Sequence, residues 1–261
     1  MKSERTHRLP VIRPPTDWTR FGAGAFMTTR GGGVSQGPYG DVNNQPGLNL
    51  GVHVHDAAAA VKANQMRLSL ELPAAPLWLN QVHGKQVFQA VGPPGDEIPT
   101  ADAAVTNQSG VVLAILTADC LPVLLVDPVA RVIGAVHGGW RGLVAGVLPE
   151  TIRAMVELGA NPDKVQAWLG AAIGPERFEV GPEVPAAFTQ SDVSLQSCFR
   201  RYPGRPGKYL GDLQEIARHQ LASVGVTAVS AADICTVQDE RFYSFRRDGI
   251  CGRMASLVWL I

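Results

Sequence analysis

The sequence predicts an α+β protein, built as a mixed-sheet α/β sandwich, from three observations. Apolar runs at 111–116, 123–126 and 132–136 are continuous, which is typical of strands buried on both faces. Segments with helical composition and spacing lie on either side of these runs. Helices and strands mix along the chain without a strict alternation. The 261 residues, 46% of them hydrophobic, suffice for one large core.

The N-terminal half begins with irregular segments and continues into strands. Residues 1–20 are rich in proline and charge, which predicts an arm and a first edge strand. The glycine-rich stretch 22–51 is predicted to form loops. The elements that follow are a helix at 57–72, strands at 77–82, 86–91 and 103–105, a proline-glycine loop at 92–99, and the three central strands.

The C-terminal half predicts helices interleaved with two further strands. A helix at 143–158 ends near the Gly-Ala-Asn-Pro segment that follows it. The later elements are a strand at 165–169, helices at 182–189 and 213–224 around a loop at 200–208, and a last strand at 254–260. There is no repeat or linker, so we expect one catalytic domain over 21–261, preceded by the arm at 1–20.

Composition excludes several classes of protein. Lysine plus arginine and aspartate plus glutamate each number 23, so nothing favours nucleic acid or an anionic membrane as a partner. The first residues lack the apolar segment of a secretory signal, and the most apolar stretch, 111–126, contains Asp119 and is short for a membrane span. Four cysteines without a CxxC pair predict reduced thiols and a cytoplasmic protein.

Two histidines and a cysteine lie just beyond strand-like runs. His83, Cys120 and His137 each neighbour glycine or a small polar residue, which leaves the backbone free to bring them together. Two imidazoles and a thiolate are the protein ligands of a catalytic zinc whose fourth position stays open. Their spacing matches no zinc-finger pattern, so each also remains open to a structural interpretation. Asp119, beside the thiol, is the candidate carboxylate for orienting a ligand.

Arginines beside glycines indicate an anionic substrate. Arg30 precedes three glycines whose amides can form an anion-binding nest, and Arg141 lies just before a predicted helix. Arg246 lies in an aromatic and basic segment at 241–249. A guanidinium fork suits phosphate or carboxylate, although each of these arginines can equally be an ordinary ion-paired residue.

Taken together, the motifs resemble those of the laccase-domain family, also called the YfiH-type or polyphenol-oxidase family. The resemblance covers about residues 20–261. The motifs that carry it are TRGGGVS at 29–35, LNLG at 48–51, QVHG at 81–84, DAAVT at 102–106, TADCLPV at 117–123, HGGWRG at 137–142, GP at 174–175 and RFYSFRRDG at 241–249.

This resemblance implies a YfiH-like sandwich, distantly related to cysteine hydrolases, with zinc held by His83, Cys120 and His137. It implies phosphorolysis of adenosine, inosine and methylthioadenosine, and deamination of adenosine to inosine. The candidate catalytic residues are the three ligands and Asp119, the latter as a proton shuttle when water attacks C6 of adenine. The candidate substrate and phosphate residues are Arg30, Asn49, Gln81, Arg141 and Arg246.

Three other functions are considered, because they would use the same residues or are suggested by the family's older name. A cysteine hydrolase or amidase would use Cys120 as its nucleophile and a histidine as base. A multicopper polyphenol oxidase needs more imidazoles than six histidines supply, although copper can enter a zinc site adventitiously. A non-catalytic module with structural zinc would need a fourth protein ligand. The sequence does not distinguish a monomer from a homodimer.

Overall fold

The computed structural model describes residues 9–41, 43 and 45–261. Within these residues the chain forms fifteen strands and six α-helices. The strands are β1 Val11–Ile12, β2 Ala23–Thr28, β3 Gly31–Ser35, β4 Pro76–Leu77, β5 Val87–Gln89, β6 Ala103–Thr106, β7 Val112–Thr117, β8 Leu121–Asp127, β9 Val132–Gly138, β10 Gln166–Leu169, β11 Glu179–Val180, β12 Phe199–Arg201, β13 Tyr209–Gly211, β14 Ala228–Ala231 and β15 Met254–Leu260. The helices are α1 Ala58–Ser69, α2 Trp140–Val144, α3 Val147–Glu157, α4 Glu183–Ser191, α5 Leu213–Ser223 and α6 Phe245–Asp248.

Two large mixed sheets and one small sheet organise the chain. The first has five strands in the order β1-β2-β15-β7-β4, and the second has six in the order β14-β10-β8-β9-β6-β5. In each large sheet most neighbours are antiparallel, while one or two edge pairs are parallel. Strands β11, β13 and β12 form a separate antiparallel sheet. The predicted α+β sandwich with mixed sheets is therefore confirmed.

The two large sheets pack face to face with helices outside them. Alternate residues of β8, such as Leu124 and Val126, pack between the sheets against residues of β7 and β15. The intervening residues, such as Val123 and Leu125, pack against the helices on the other side. Leu68 of α1 belongs to a third cluster on the outer face of the five-stranded sheet. Burial on both faces explains why the central strands have continuous apolar runs.

Most predicted elements are present at nearly the predicted positions. The last strand, 254–260, has the predicted bounds, and the helix predicted at 213–224 ends one residue earlier. Strand β7 is shifted by one residue from the predicted run, whereas β8 and β9 extend beyond their predicted ends by one or two residues. Edge strand β1 falls inside the predicted arm and pairs with β2, while residues 1–8 of that arm lie outside the described part. The division into an arm and one catalytic domain stays a prediction.

Three local predictions were wrong, each for an identifiable physical reason. The stretch 22–51 contains β2, because these residues pair with the distant strand β15. It also contains β3, which bridges to Gly47 at such close range that a Cβ atom on Gly33 would lie 2.1 Å from the Gly47 carbonyl oxygen. The helix predicted at 143–158 is broken into α2 and α3 at Gly146, whose φ of 87° is left-handed. The strand predicted at 77–82 ends at Leu77, after which the chain turns toward the site described below.

The loop predicted at 200–208 begins as strand β12 and continues as turns to β13.

Among the residues described, the helices fall short of what a membrane crossing needs in length and apolar character.

Candidate metal centre and active-site cavity

His83, Cys120 and His137 come together where the two large sheets meet. One potential ligand atom from each residue lies within 4.8 Å of the others, and no other such grouping of three His, Cys, Asp or Glu side chains occurs in the described residues. The Cys120 Sγ and His83 Nε2 are 3.8 Å apart. Ligands of a tetrahedral zinc are separated by ~3.5 Å, given metal–ligand bonds of ~2.0–2.3 Å. The donor set and its spacing therefore fit a zinc ion.

Cys120 reaches the cluster through a tight connection between the sheets. Strand β7 ends at Thr117 and β8 begins at Leu121, so three residues carry the chain from one sheet to the other. Asp119 adopts a φ of 87° in this connection. Its carboxylate accepts hydrogen bonds from Thr236 Oγ1 at 2.6 Å and from the Arg246 backbone nitrogen at 2.7 Å. These contacts fix the turn and leave the expected proton-shuttle role of Asp119 without support.

Asp102, rather than Asp119, is the carboxylate that orients a candidate ligand. It immediately precedes β6, and its Oδ1 lies 2.8 Å from Nδ1 of His137 on the neighbouring strand β9. The contact leaves Nε2 of His137 to face the cluster, the arrangement that holds many metal-binding histidines. Asp102 is fully buried, and a charged residue leading directly into an apolar strand was the sequence signal for it.

The same carboxylate fixes the loop that carries His83. Asp102 accepts backbone hydrogen bonds from Val82, His83 and Gly84 at 3.2, 2.8 and 2.7 Å. His83 has a φ of 60°, a strained value for a residue with a side chain. Opposite it, a Cβ at Gly139 would lie 2.7 Å from the His83 ring, so glycine is required for this approach.

The electrostatics of the cluster favour a thiolate. Burial alone raises the pKa of Cys120, but the charges and hydrogen bonds of His137 and His83 lower it to about 6. Burial lowers the pKa of His137, whereas Cys120 and Asp102 raise it to about 9. Without a metal the pair is thus a thiolate beside an imidazolium at neutral pH. The thiolate is the form that binds metals or attacks electrophiles.

The cluster faces a cavity of about 380 Å³, within the size range of small-molecule sites. A second, more apolar hollow of about 450 Å³ shares three of its lining residues, namely His53, Phe245 and Arg253. Phe245 is 59% exposed, which is unusual for a phenylalanine and leaves its ring available to a ligand at the shared wall. Trp140, which begins α2, packs partly buried against the core.

Only one of the predicted substrate residues lines the cavity with the cluster. Gln81 does so, while its amide pairs with the backbone N–H and carbonyl of Leu116, both at 2.8 Å. Asn49 is fully buried and bonds Asp56, Gly51 and Arg253. It therefore supports the cavity wall from behind.

The three predicted arginines lie elsewhere. Arg30 is buried, donates to the Gly40 carbonyl and pairs with Asp248 at 3.6 Å. The guanidinium of Arg246 donates to the carbonyls of Arg177 and Glu179. Arg141 is exposed, stacks on the adjacent Trp140 at 4.4 Å and is not among the residues lining the cavity. These contacts do not support the phosphate-binding roles expected for Arg30 and Arg246, and the role of Arg141 stays a prediction.

Sequence reasoning missed His53 and Arg253. These two residues are far apart in the sequence, but both line the cavity. Arg253 follows Cys251 and Gly252 directly before β15, so a basic residue at the start of a buried strand was the available signal.

These features define a mixed α/β sandwich protein with a two-histidine, one-cysteine centre at the floor of a ligand-sized cavity. The family model described as multi-copper polyphenol oxidoreductase laccase matches residues 24–261. The chain belongs to this family.

Its relatives cover nearly the whole chain. The purine nucleoside phosphorylase YfiH of Escherichia coli is 45% identical over 243 residues, which is 92% of this chain and 95% of the relative. A purine nucleoside phosphorylase of Haemophilus influenzae is 41% identical over 238 residues, covering 90% of this chain and 93% of that one. A solved structure from Neisseria meningitidis has a TM-score of 0.85 at 39% identity and covers 97% of this chain and 98% of that one. The resemblance expected from the motifs is confirmed.

Proposed function

We propose that this chain is a zinc-dependent purine nucleoside phosphorylase acting on adenosine, inosine and methylthioadenosine, with adenosine deaminase activity. The observation that carries the proposal is the convergence of His83, Cys120 and His137 on a cavity large enough for a nucleoside. Relatives named purine nucleoside phosphorylase, similar over nearly the whole chain, support it. We place the enzyme in the cytoplasm, where cysteines are kept reduced and a chain with four cysteines and no CxxC pair needs no disulfide framework.

In this proposal the cluster residues bind the metal and the rest of the cavity binds the nucleoside. His83, Cys120 and His137 hold zinc, and Asp102 keeps Nε2 of His137 directed at it. Zinc with an open fourth position supplies a Lewis acid that stabilises developing negative charge or activates a bound water. Copper in the same site is adventitious, because one three-residue cluster does not provide the several imidazole-rich sites of a multicopper oxidase.

Phosphorolysis requires the nucleoside and phosphate to be held in line. An oxygen of phosphate forms a bond to C1′ of the ribose while the bond from C1′ to the purine nitrogen breaks. The purine leaves with the bonding electrons and gains a proton. Phe245, exposed at the wall between the two hollows, offers a face on which the purine can stack.

The proposal is tested by incubating purified protein of known metal content with adenosine, with and without phosphate, and separating the products by chromatography. We expect adenine and ribose 1-phosphate only when phosphate is present, and inosine in both conditions. Adenosine left intact by protein carrying one zinc per chain would contradict both activities. Free ribose in place of ribose 1-phosphate would contradict phosphorolysis alone.

A second function, cysteine hydrolase or amidase, is favoured by one specific observation. Cys120, His137 and Asp102 have the connectivity of a thiol nucleophile, its base and an orienting carboxylate, and the thiol pKa is about 6. The metal separates the two functions. A hydrolase of this kind keeps its activity after chelation and forms a covalent adduct on Cys120, whereas the phosphorylase loses activity on chelation.

A further inference from the structure

Among residues 9–41, 43 and 45–261, the wall of the cavity that contains the candidate metal-binding cluster has one arginine and no lysine. That residue is Arg253, which also lines the adjoining apolar hollow. Its position at the shared wall places a positive charge between the candidate metal and the apolar surface. Phosphate, the second substrate of the proposed function, carries between one and two negative charges at neutral pH and needs a cationic partner.

The chain holds Arg253 by one side of its guanidinium and by its backbone. The Arg253 backbone nitrogen donates to Asn49 Oδ1 at 2.9 Å. Nη1 donates to the carbonyls of Cys251 and Gly252, both at 3.0 Å. Nε and Nη2 have no hydrogen-bond partner among residues 9–41, 43 and 45–261, and within that part of the chain no carboxylate lies within 4.0 Å of the guanidinium. The unused Nε–Nη2 edge is the fork that binds two oxygens of an oxyanion.

Gly51 sets the path of the Arg253 side chain. A Cβ atom at position 51 would lie 2.8 Å from Cγ and 3.2 Å from Cβ of Arg253. The aliphatic part of the Arg253 side chain therefore packs directly on the Gly51 backbone. The LNLG segment at 48–51, which also contains Asn49, is thus the surface that supports this arginine. An added methyl group would displace the stem and move the guanidinium.

Two of the other arginines considered for this role, Arg30 and Arg246, are bonded elsewhere. Arg30 is paired with Asp248, and Arg246 donates to backbone carbonyls outside the cavity. His53, on the same wall as Arg253, is kept in its neutral form because burial and then the charge of Arg253 lower its pKa. The positive charge in this wall is thus that of Arg253.

We propose that the Nε–Nη2 edge of Arg253 binds the phosphate that attacks the nucleoside, and that Gly51 and Asn49 position the Arg253 side chain for this contact. This inference rests on the proposed function and adds the residue that recognises its second substrate. Bound there, phosphate lies beside the metal cavity and next to the hollow where Phe245 offers a stacking surface.

The test compares KM for phosphate in Arg253→Met and Arg253→Lys with the wild type at saturating adenosine. Loss of two charge-assisted hydrogen bonds predicts a rise of about 100-fold in Arg253→Met. We expect about tenfold in Arg253→Lys, which keeps the charge but not the fork. Zinc content stays unchanged and KM for adenosine changes by less than about threefold. An unchanged KM for phosphate in folded Arg253→Met overturns the assignment.

Two further variants separate a binding role from a structural one. Gly51→Ala keeps the guanidinium but displaces it, so we expect KM for phosphate to rise at constant zinc content. Arg67→Met is the matched control, because Nη1 of Arg67 also donates to two backbone carbonyls, those of Gly32 and Gly33, but outside the cavity. We expect wild-type kinetics from it. Equal rises in Arg67→Met and Arg253→Met would overturn the proposal.

A direct measurement keeps the test independent of turnover. If the wild type does not cleave adenosine with phosphate, the proposed function fails, and calorimetric titration of inorganic phosphate still tests Arg253. Phosphate binding by the wild type that is lost in Arg253→Met supports the anion site. Equal binding by both proteins, or binding by neither, overturns it.

Discussion

Two groups of polar residues show how differently the motifs of this chain are used. The metal cluster of His83, Cys120 and His137 points its side chains into a cavity. A second group, which we call the loop scaffold, comprises Arg30, Tyr39, Asn49, Asn64 and Tyr243, all buried. Motif residues in both groups looked equally functional in the sequence. The side chains of the first group face the ligand-sized cavity, whereas those of the second bond mainly to one another and to backbone carbonyls.

The loop scaffold satisfies its polar atoms internally. Asn64 donates to the Ser35 hydroxyl and to the Asn49 carbonyl, both at 2.9 Å. The Tyr39 hydroxyl donates to the Val54 carbonyl, and the Tyr243 hydroxyl donates to the Tyr39 carbonyl. Such contacts replace secondary structure in a glycine-rich segment whose backbone groups would otherwise lack partners. A polar motif therefore signals chemistry only where its side chains keep unsatisfied bonding capacity beside a cavity.

The largest expected effect is that of removing a ligand from the metal cluster. Cys120→Ala takes away the only sulfur donor, so we expect zinc affinity to fall by more than about 100-fold and phosphorolysis to be lost, with the fold retained. Zinc titration measures the affinity, and circular dichroism shows whether the fold is retained. Cys235→Ala, which removes a partly buried thiol outside the cluster, is the control and keeps both properties. Retention of activity in metal-free Cys120→Ala would rule out the zinc assignment.

A smaller effect is expected when the carboxylate behind the cluster is neutralised. Asp102→Asn weakens the fixed orientation of His137, and loss of such an outer partner costs about 10- to 100-fold in metal affinity. Asp127→Asn is the matched control, because Asp127 is also fully buried and accepts three backbone hydrogen bonds, from Val129, Ala130 and Asn161. If both variants lower zinc affinity equally, the effect belongs to stability and not to ligand orientation.

The reactivity of Cys120 is expected to change about tenfold with pH, which provides a further test. The thiol pKa of about 6 means that, in metal-free protein, the thiolate fraction rises about tenfold between pH 5 and pH 7 and then levels off. We expect alkylation by iodoacetamide, followed by mass spectrometry of the Cys120 peptide, to follow that curve and to be suppressed by added zinc. A rate that keeps rising through pH 8–9 would show an ordinary thiol. Cys198 and Cys251, whose pKa values burial raises to about 11, serve as internal references.

The sequence predicted the parts of this architecture that depend on local pattern. Continuous apolar runs located β7, β8 and β9 to within two residues, and the ends of those runs located Cys120 and His137. Contacts between distant segments escaped it. Asp102 precedes the buried strand β6 and Asp119 follows the buried strand β7, so the sequence does not distinguish them. Only the pairing of β6 with β9 brings Asp102 to His137. Arg253 was missed for the same reason, because its neighbours in the cavity lie far away along the chain.

The smallest effect on the metal cluster, and the clearest separation of the two groups, is expected from Arg30→Met. Nε of Arg30 donates to the Gly40 carbonyl at 3.0 Å, and its guanidinium lies 4.9 Å from the centre of the Tyr243 ring and 3.6 Å from Asp248. Asp248 is exposed and also pairs with Arg247, so the main loss is the donor to the buried Gly40 carbonyl, which costs about 2 kcal/mol. We expect the free energy of unfolding in urea to fall by that amount, while zinc affinity and KM for phosphate stay at their wild-type values. The sequence motif alone suggested the opposite outcome, a stable protein with impaired phosphate use. A raised KM for phosphate with unchanged stability would move Arg30 from the loop scaffold to the substrate site and would weaken the assignment of Arg253.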